Sequence, residues 1–581
     1  MKTTGEPTWI PVAQSRSLAA TVHGPGSDEP VGVVIIVSPV GRDRAVTFRG
    51  LRFLATRAAE RGFVAVRFEL SGTGESGPCS LEEPPEGETP TGWAGDLVSL
   101  LDWCEATWGV RRVAGIGLLL GASLLAASQD PRWSVRLLWD QMAGRRFLRQ
   151  GAMLRMISVP GDPRPDGVEH PGAWYPSALV EQIRALPAAA ARTTMQPVGS
   201  PEESGEPVLS RVDSTDEEAR SFHGVASLMS RVPVQRIDGI VAQLAAAAAS
   251  LDRPLGAFHP VTETRTIGPT GRGLIERIVR IGEDGLATLT LPEDRQPGDV
   301  SRAVVMVAAA SEPKDGPTAL WVRAARSLAS EGAAVLRPER PGCGELGSAT
   351  AEYEANPHTQ EVIRAVQESA RWLSELTGDP ITGVGLCSGA WAVLSAAQEP
   401  VFDAVIAINN LAWRTDLRFH ERMYDEGLLD ILPEPEELKV TVEEAEPRGL
   451  WGRVLAGAHP TALRIRAKDG LRALLQGPAP YRLWHLLGRR ALADVPEILL
   501  RQVHPSTAVQ AWFGPEDWER FCRYRGPEGV RRVNRARPAA VEAARQDLMD
   551  HSLLADAGRE QVLQLLHRHL GSEAQRARPV A

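Results

Sequence analysis

The sequence predicts an α/β protein built twice over: two tandem domains, each a mostly parallel sheet flanked by helices. Three observations predict it. First, the chain repeats itself at long period. The stretch "GFVAVRFELSGTGESG" at 62–77 aligns with "GAAVLRPERPGCGELG" at 332–347 at a constant offset of 270. Gly62, Arg67, Glu69, Gly72, Gly74, Glu75 and Gly77 meet Gly332, Arg337, Glu339, Gly342, Gly344, Glu345 and Gly347, the mark of a tandem duplication. Second, short apolar runs such as "VGVVIIVSP" and "RAVVMVAAA" lead into helical patterns such as "FLATRAAERG" and "WVRAARSLASEG", the alternation of βαβ units. Third, those runs barely alternate in polarity, as strands buried on both faces require.

Each half then reads strand, helix, strand, glycine-rich turn, helix, strand, glycine-flanked turn, helix, strand. The alanine-rich helix "IVAQLAAAAASL" closes the first half, which divides the chain into domains 1–255 and 256–581. Ahead of the second copy, "IERIVRIGEDGLATLTLP" at 275–292 predicts an antiparallel hairpin turning at Glu283-Asp284-Gly285. The Pro-, Gly- and Ser-rich "PVGSPEESGEPVLS" at 197–210 reads as a loop. Residues 415–495 are helical in period, rich in Arg, Leu and Trp, and interrupted by "LPEPEE" and "GPAP". That is too long for a plain connection, and it reads as a helical lid inserted in the second domain.

Composition bounds the function. A chain of 581 residues exceeds one ordinary core. A net charge of -9, spread along the chain, supplies no basic stripe for a phosphate backbone, so nucleic acid is not an expected partner. The five cysteines, Cys79, Cys104, Cys343, Cys387 and Cys522, are scattered and odd in number. They form neither a disulfide framework nor a zinc site, and they suit a reducing compartment. No metal or cofactor is expected, no apolar run is long enough to span a bilayer, and a cytoplasmic protein is the default. Monomer and dimer both stay open.

The chemistry concentrates at Gly385-Leu386-Cys387-Ser388-Gly389, set between the apolar run "ITGV" and the helical run "AWAVLSAA". This resembles the nucleophile elbow of the α/β-hydrolase superfamily, a strand–turn–helix that lifts its central residue into a strained, exposed turn. The likeness covers most of both halves. More narrowly, "GPTALWVRAARSLASEG", "GLCSGAW" and "WDQMAGRRFLRQ" are similar to hydrolases encoded beside bacterial exopolysaccharide-export (exosortase) systems.

The resemblance implies a catalytic triad. Cys387 would be the nucleophile. Asp517, in the loop after "STAVQAWFG", would be the acid, with Glu516 as its rival. His551, ahead of the terminal helix, would be the base. Backbone N–H groups of Ser388 and of Ala310 and Ser311 would form the oxyanion hole. His567 and His569 on the last helix read as solvated. In the first half the matching turn is Gly117-Leu118-Leu119-Leu120-Gly121. Leucine cannot attack a substrate, and His223 sits early in the chain without an evident supporting residue, so this half reads as a pseudoenzyme. The turn "SGTGES" at 71–76 reads as structural rather than phosphate-binding.

A cysteine nucleophile suits exchange between thioesters, because its acyl-thioester stays reactive toward amines, alcohols and carbanions. It also supports hydrolysis of activated esters. Superfamily members with cysteine, dienelactone hydrolases and polyhydroxyalkanoate synthases, span both outcomes. Arg464, Arg466 and Lys468 in "LRIRAKDG" could meet an anionic acyl carrier, coenzyme A or the phosphopantetheine of an acyl carrier protein, with a solvated helix face as the competing reading. Two functions therefore remain: an acyl-transfer enzyme (acyltransferase, thioesterase or other hydrolase), or a catalytically silent binding or scaffolding protein.

Overall fold

A computed structural model describes residues 5–13, 16–25, 29–78, 92–158, 166–187, 208–225, 229–282, 285–300, 302–309, 312–345, 356–425, 480–490 and 493–570. Nine strands belong to the first half among these residues: β1 (Gly5–Ala13), β2 (Arg16–His23), β3 (Gly32–Val37), β4 (Phe63–Phe68), β5 (Val113–Leu118), β6 (Trp133–Trp139), β7 (Gly167–His170), β8 (Ala173–Pro176) and β9 (Val208–Val212). Seven of them form one sheet in the order β1-β2-β4-β3-β5-β6-β9, and β7 and β8 pair separately as a hairpin. The second half supplies β10 (Glu263–Ile267), β11 (Gly273–Ile281), β12 (Gly285–Pro292), β13 (Arg302–Val307), β14 (Ala333–Pro338), β15 (Ile381–Leu386), β16 (Ala404–Ile408), β17 (Ala508–Phe513) and β18 (Val541–Arg545). Their order is β10-β11-β12-β14-β13-β15-β16-β17-β18.

With β10 set aside, the second order is the eight-strand arrangement of the α/β-hydrolase fold, antiparallel at its start and parallel from β14 onward. The first sheet follows the same order through its seventh strand and has no eighth among the described residues. Every residue of β3, β4, β5 and β14 is buried, which explains why those runs lack alternation: helices cover both faces. In the second half, helix Gln360–Thr377 packs on one face and helices Leu320–Ser330 and Asp556–Leu570 on the other. The hairpin expected at 275–292 is present, with Ile281 opposite Gly285. Helix Val234–Ala246 buries Ile237, Ile240, Val241 and Leu244 in the first core.

Of the expected lid, helices Leu417–Asp425 and Tyr481–Arg489 are described. Residues 426–479 and 491–492, and with them Arg464, Arg466 and Lys468, lie outside the described residues. So do Cys79 and most of the loop at 197–210. Among the described residues no helix is long and apolar enough to cross a membrane.

The repeat that betrayed the duplication lies at the junction between the halves, and its residue types are explained there. Arg67 of the first half pairs with Glu345 of the second. Arg337 of the second pairs with Glu75 of the first at 3.1 Å. These two ion pairs exchange under the 270-residue offset, the reciprocal pattern of a two-fold interface. Within each half the same device recurs. The Glu69 carboxylate accepts from the Glu75 backbone N–H at 2.6 Å, and Glu339 accepts from Glu345 at 2.6 Å. A Cβ on Gly74 or Gly344 would strike the Glu69 or Glu339 carboxylate within 2.1 Å or 1.8 Å respectively. Glu69 is then paired by Arg44, and Glu339 by Lys314. The symmetry breaks at Arg44, which also reaches across to Asp315. Main-chain links join the halves too, with Trp9 N–H donating to the Val261 carbonyl at 2.8 Å.

Candidate active site

The elbow of the second half forms where β15 ends. Cys387 has φ 51° and ψ -114°, a conformation costly for a residue with a side chain, and its N–H donates to the Ile408 carbonyl at 2.9 Å. Helix Ser388–Ala396 begins directly behind it, so the partial positive charge of its N-terminus underlies the thiol. The flanking glycines are there because the backbone crosses itself. A Cβ on Gly385 would stand 2.2 Å from the Gly389 carbonyl oxygen, and one on Gly389 2.6 Å from that of Val307.

The first half builds the same turn. Leu119 has φ 53° and ψ -118°, its N–H donates to Trp139 at 3.0 Å, and Gly117 and Gly121 are crowded in the same way. The glycine frame therefore reports the fold, while the central residue reports the chemistry.

His551 meets Cys387 from the loop before helix Asp556–Leu570. Its Nδ1 lies 2.9 Å from Asp517 Oδ2, which leaves Nε2 as the ring nitrogen available to Cys387, a side chain whose interaction raises the imidazole's affinity for a proton. Burial disfavours the imidazolium here. Its interactions with Cys387 and Asp517 outweigh that cost and hold His551 well above the ordinary histidine value. Asp517 is 4% exposed and belongs to the first turn of helix Pro515–Arg523, rather than to a loop as its sequence context suggested. The helix starts this early because Gly514 serves as its N-cap and Pro515 takes the first position, where its missing N–H costs nothing. Glu516, its rival, is exposed.

Ser388 sits at the start of the elbow helix, buried. Ala310 and Ser311 lie outside the described residues. His567 and His569 are half-buried rather than solvated: His567 Nε2 is 2.9 Å from Ser327 Oγ, and the His569 ring centroid is 5.2 Å from that of Trp512.

Three features escaped sequence reading. Asn409, fully buried at the end of β16 with φ 50°, grips both loops of the site. Its amide donates to the carbonyls of Asp550 at 2.9 Å and His551 at 3.0 Å, while its oxygen accepts from Gly514 N–H at 2.8 Å. Replacing Asn409 with alanine strands these buried groups. The expected cost is about 2–3 kcal/mol of unfolding free energy, read by denaturant titration, together with slower modification of Cys387.

The second feature is Glu312. Burial and the nearby Asp315 push its carboxyl up to about 8, against the opposing charges of Arg44, His551 and Arg559. It is therefore a neutral acid at neutral pH.

The third corrects the reading of His223. It does have a supporting carboxylate: its Nε2 lies 3.2 Å from Asp140 Oδ2, and Asp140 occupies in the first half the strand-end position of Asn409. The partners are 83 residues apart, which no local motif announces. At the elbow itself the first half places Leu119, which is packed into the core with Trp139 and Phe222.

No family model matches the chain, and no curated protein matches it. Solved structures similar to it include a dienelactone hydrolase from Anabaena variabilis (12% identity, 51% of this chain and 98% of that one, TM-score 0.29). Brefeldin A esterase, described as a bacterial homologue of human hormone sensitive lipase, is another (14%, 54% and 77%, TM-score 0.29). A third is an acetyl xylan esterase from Paenibacillus sp. R4 (12%, 54% and 89%, TM-score 0.30). The fold stands on the strand order itself: two tandem α/β-hydrolase-like units, the second of which pairs the His551 imidazole with the Asp517 carboxylate.

Proposed function

We propose that the protein is a cysteine-dependent acyl-transfer enzyme, an acyltransferase or a (thio)esterase acting on an activated ester or thioester. The observation that carries this reading is the strained elbow that presents Cys387, supported by the His551 imidazole, which interacts with Cys387 and lies 2.9 Å from Asp517. In the first step the Cys387 sulfur, its proton held by His551 Nε2, attacks the substrate carbonyl carbon and forms a C–S bond. The developing oxyanion is met by the Ser388 N–H at the helix start and, on the family pattern, by Ala310 and Ser311. The C–S or C–O bond to the leaving group then breaks, and His551 returns the proton to the departing thiol or alcohol. In the second step His551 takes a proton from water or an acceptor, whose oxygen, nitrogen or sulfur attacks the acyl-cysteine and releases the thiol. Asp517 holds the imidazole tautomer and supports its charge throughout. A coenzyme A or acyl-carrier thioester is the proposed donor, and the first half is proposed to be a pseudoenzyme.

Intact-mass spectrometry after incubation with acetyl- and longer acyl-coenzyme A tests the proposal. A single acyl adduct is expected, absent in Cys387→Ala and kept when the exposed Cys522 is changed to alanine. No adduct with acyl thioesters or with p-nitrophenyl esters, in a chain that is folded, would leave the silent scaffold as the better reading.

A further inference from the structure

The first half holds leucine at its elbow, yet one of its elements ends at the His551 loop of the second. Hairpin β7–β8 turns at Pro171-Gly172, where Gly172 adopts φ +80°. The Gly172 N–H donates to the carbonyl of Leu554, three residues beyond His551, at 2.7 Å. Glu169 Oε1 accepts from the N–H of Asp556 at 3.0 Å. The Gly172 carbonyl accepts from Arg559, and the same guanidinium donates to the hydroxyl of Thr318 and, at 2.9 Å, to its carbonyl. Thr318, at φ 46°, lies on the segment that leads out of Glu312–Asp315. One hairpin tip thus holds both walls of the site.

The contacts are buried and braced. Glu169, His170, Tyr175, Asp556 and Arg559 are each at most 8% exposed. The hairpin is fixed to the body of the first half through the Arg155–Glu169 ion pair at 3.1 Å and the stacking of His170 on Phe147 at 4.3 Å and 13°. Within the second half the loop is secured by Asp550, which accepts from the N–H groups of Ser552, Leu554 and Ala555, and by Asn409 at its start. The main-chain groups left to the hairpin are the Leu554 carbonyl and the Asp556 N–H at the helix start.

We infer that the first half serves as a positioning domain, in which hairpin β7–β8, through Glu169 and Gly172, sets the place of His551 against Cys387. This rests on the proposed Cys387–His551 pair. Catalytic groups work within about half an ångström of their productive placement, and a displacement of about 1 Å costs on the order of 10²-fold in rate. A loop tied to a second folded body is therefore a sensitive point of control. Glu169 and Gly172 touch no reacting atom, and they act through the loop.

The experiment uses the full chain and two readouts. One is the pH midpoint of Cys387 alkylation by iodoacetamide, followed by peptide mass spectrometry, which reports on the thiol–imidazole pair. The other is the kcat and KM of p-nitrophenyl acetate turnover. Glu169→Ala is expected to move the alkylation midpoint upward, toward that of His551→Asn, and to lower kcat about 10-fold with little change in KM. Gly172→Ala should act in the same direction, because its methyl would stand 2.5 Å from Thr318 Cγ2. Glu169→Gln keeps an oxygen that can accept from Asp556 and should recover most of the rate. Phe222→Leu loosens the first half on the opposite face of its sheet. It should lower the melting temperature without moving the midpoint.

If Glu169→Ala and Phe222→Leu behave alike, lowering stability and leaving midpoint and kcat unchanged, the hairpin is only a packing contact and the inference is overturned. If His551→Asn fails to move the midpoint from its wild-type value, the Cys387–His551 pair itself is wrong, and the inference falls with it.

Discussion

Replacing Arg337 with methionine is expected to remove about 3–5 kcal/mol of unfolding free energy at neutral pH, among the largest single-residue effects anticipated in this chain. Arg337 is fully buried between Glu75 of the opposite half, at 3.1 Å, and Glu276, at 3.4 Å. Glu276 keeps Arg326 at 2.7 Å, but Glu75 loses its direct partner. Removing one member of a buried pair leaves a charge that water can no longer reach, which costs far more than the pair contributed. The pH dependence gives the test its direction. Burial tends to raise the Glu75 carboxyl. The charges of Arg337, Lys314 and Arg326 overcome this and hold it below the usual glutamate range. In the native protein that stabilisation is present above about pH 4.3 and is lost as pH falls through the lowered value. The deficit of Arg337→Met should therefore be greatest near pH 7 and shrink as Glu75 takes up a proton. Urea titrations at pH 7 and pH 4 measure both terms, and a deficit that is small or independent of pH would contradict the buried-pair account. The double variant Arg337→Met/Glu75→Gln should recover part of the loss, by the amount of their coupling.

Replacing His551 with asparagine should lower the rate of Cys387 acylation by about 10²–10⁴-fold, the usual worth of a positioned proton-transfer group. The adduct should still form slowly, because the thiol, the elbow and the helix N-terminus remain. His551 also leaves a mark on stability. Its imidazolium is favoured in the folded chain by its interactions with Cys387 and Asp517, in spite of burial. That stabilisation is fully present below about pH 6.5 and is lost as pH rises through the raised folded value. Wild-type protein should therefore lose stability between neutral and alkaline pH more steeply than His551→Asn. Parallel slopes from urea titrations between pH 6.5 and 10 would show that the imidazole is not charged in the native state.

The elements that were legible in the sequence are those whose evidence is local. The buried strands, the elbow glycines and the expected chain order of nucleophile, acid and base all reside in short windows, and the structure sets His551 2.9 Å from Asp517. Legibility failed where a partner lies far off in the chain. Asn409 looks like any residue after a strand, and only the fold shows that it bonds to residues 105 and more positions away. The Asp140–His223 pair and the grip of Glu169 on Asp556 are hidden for the same reason. The repeat was visible, but its meaning was not. Arg67, Glu75, Arg337 and Glu345 appeared as four members of an aligned pair of turns, and the sequence had no way to say that each turn is completed by the other.

That completion bears on how such a chain can change over generations. The first copy holds leucine in an elbow of the same geometry as that of Cys387, so that turn tolerates a change of its central residue. Arg67 and Glu75 lack that freedom, because each is the counter-charge of a site in the other copy. The two halves are therefore inherited as a matched set. A recombination that exchanged one half for a distant relative's would bring together two sound folds with mismatched charges in the joint, and selection would see the loss before any change in catalysis.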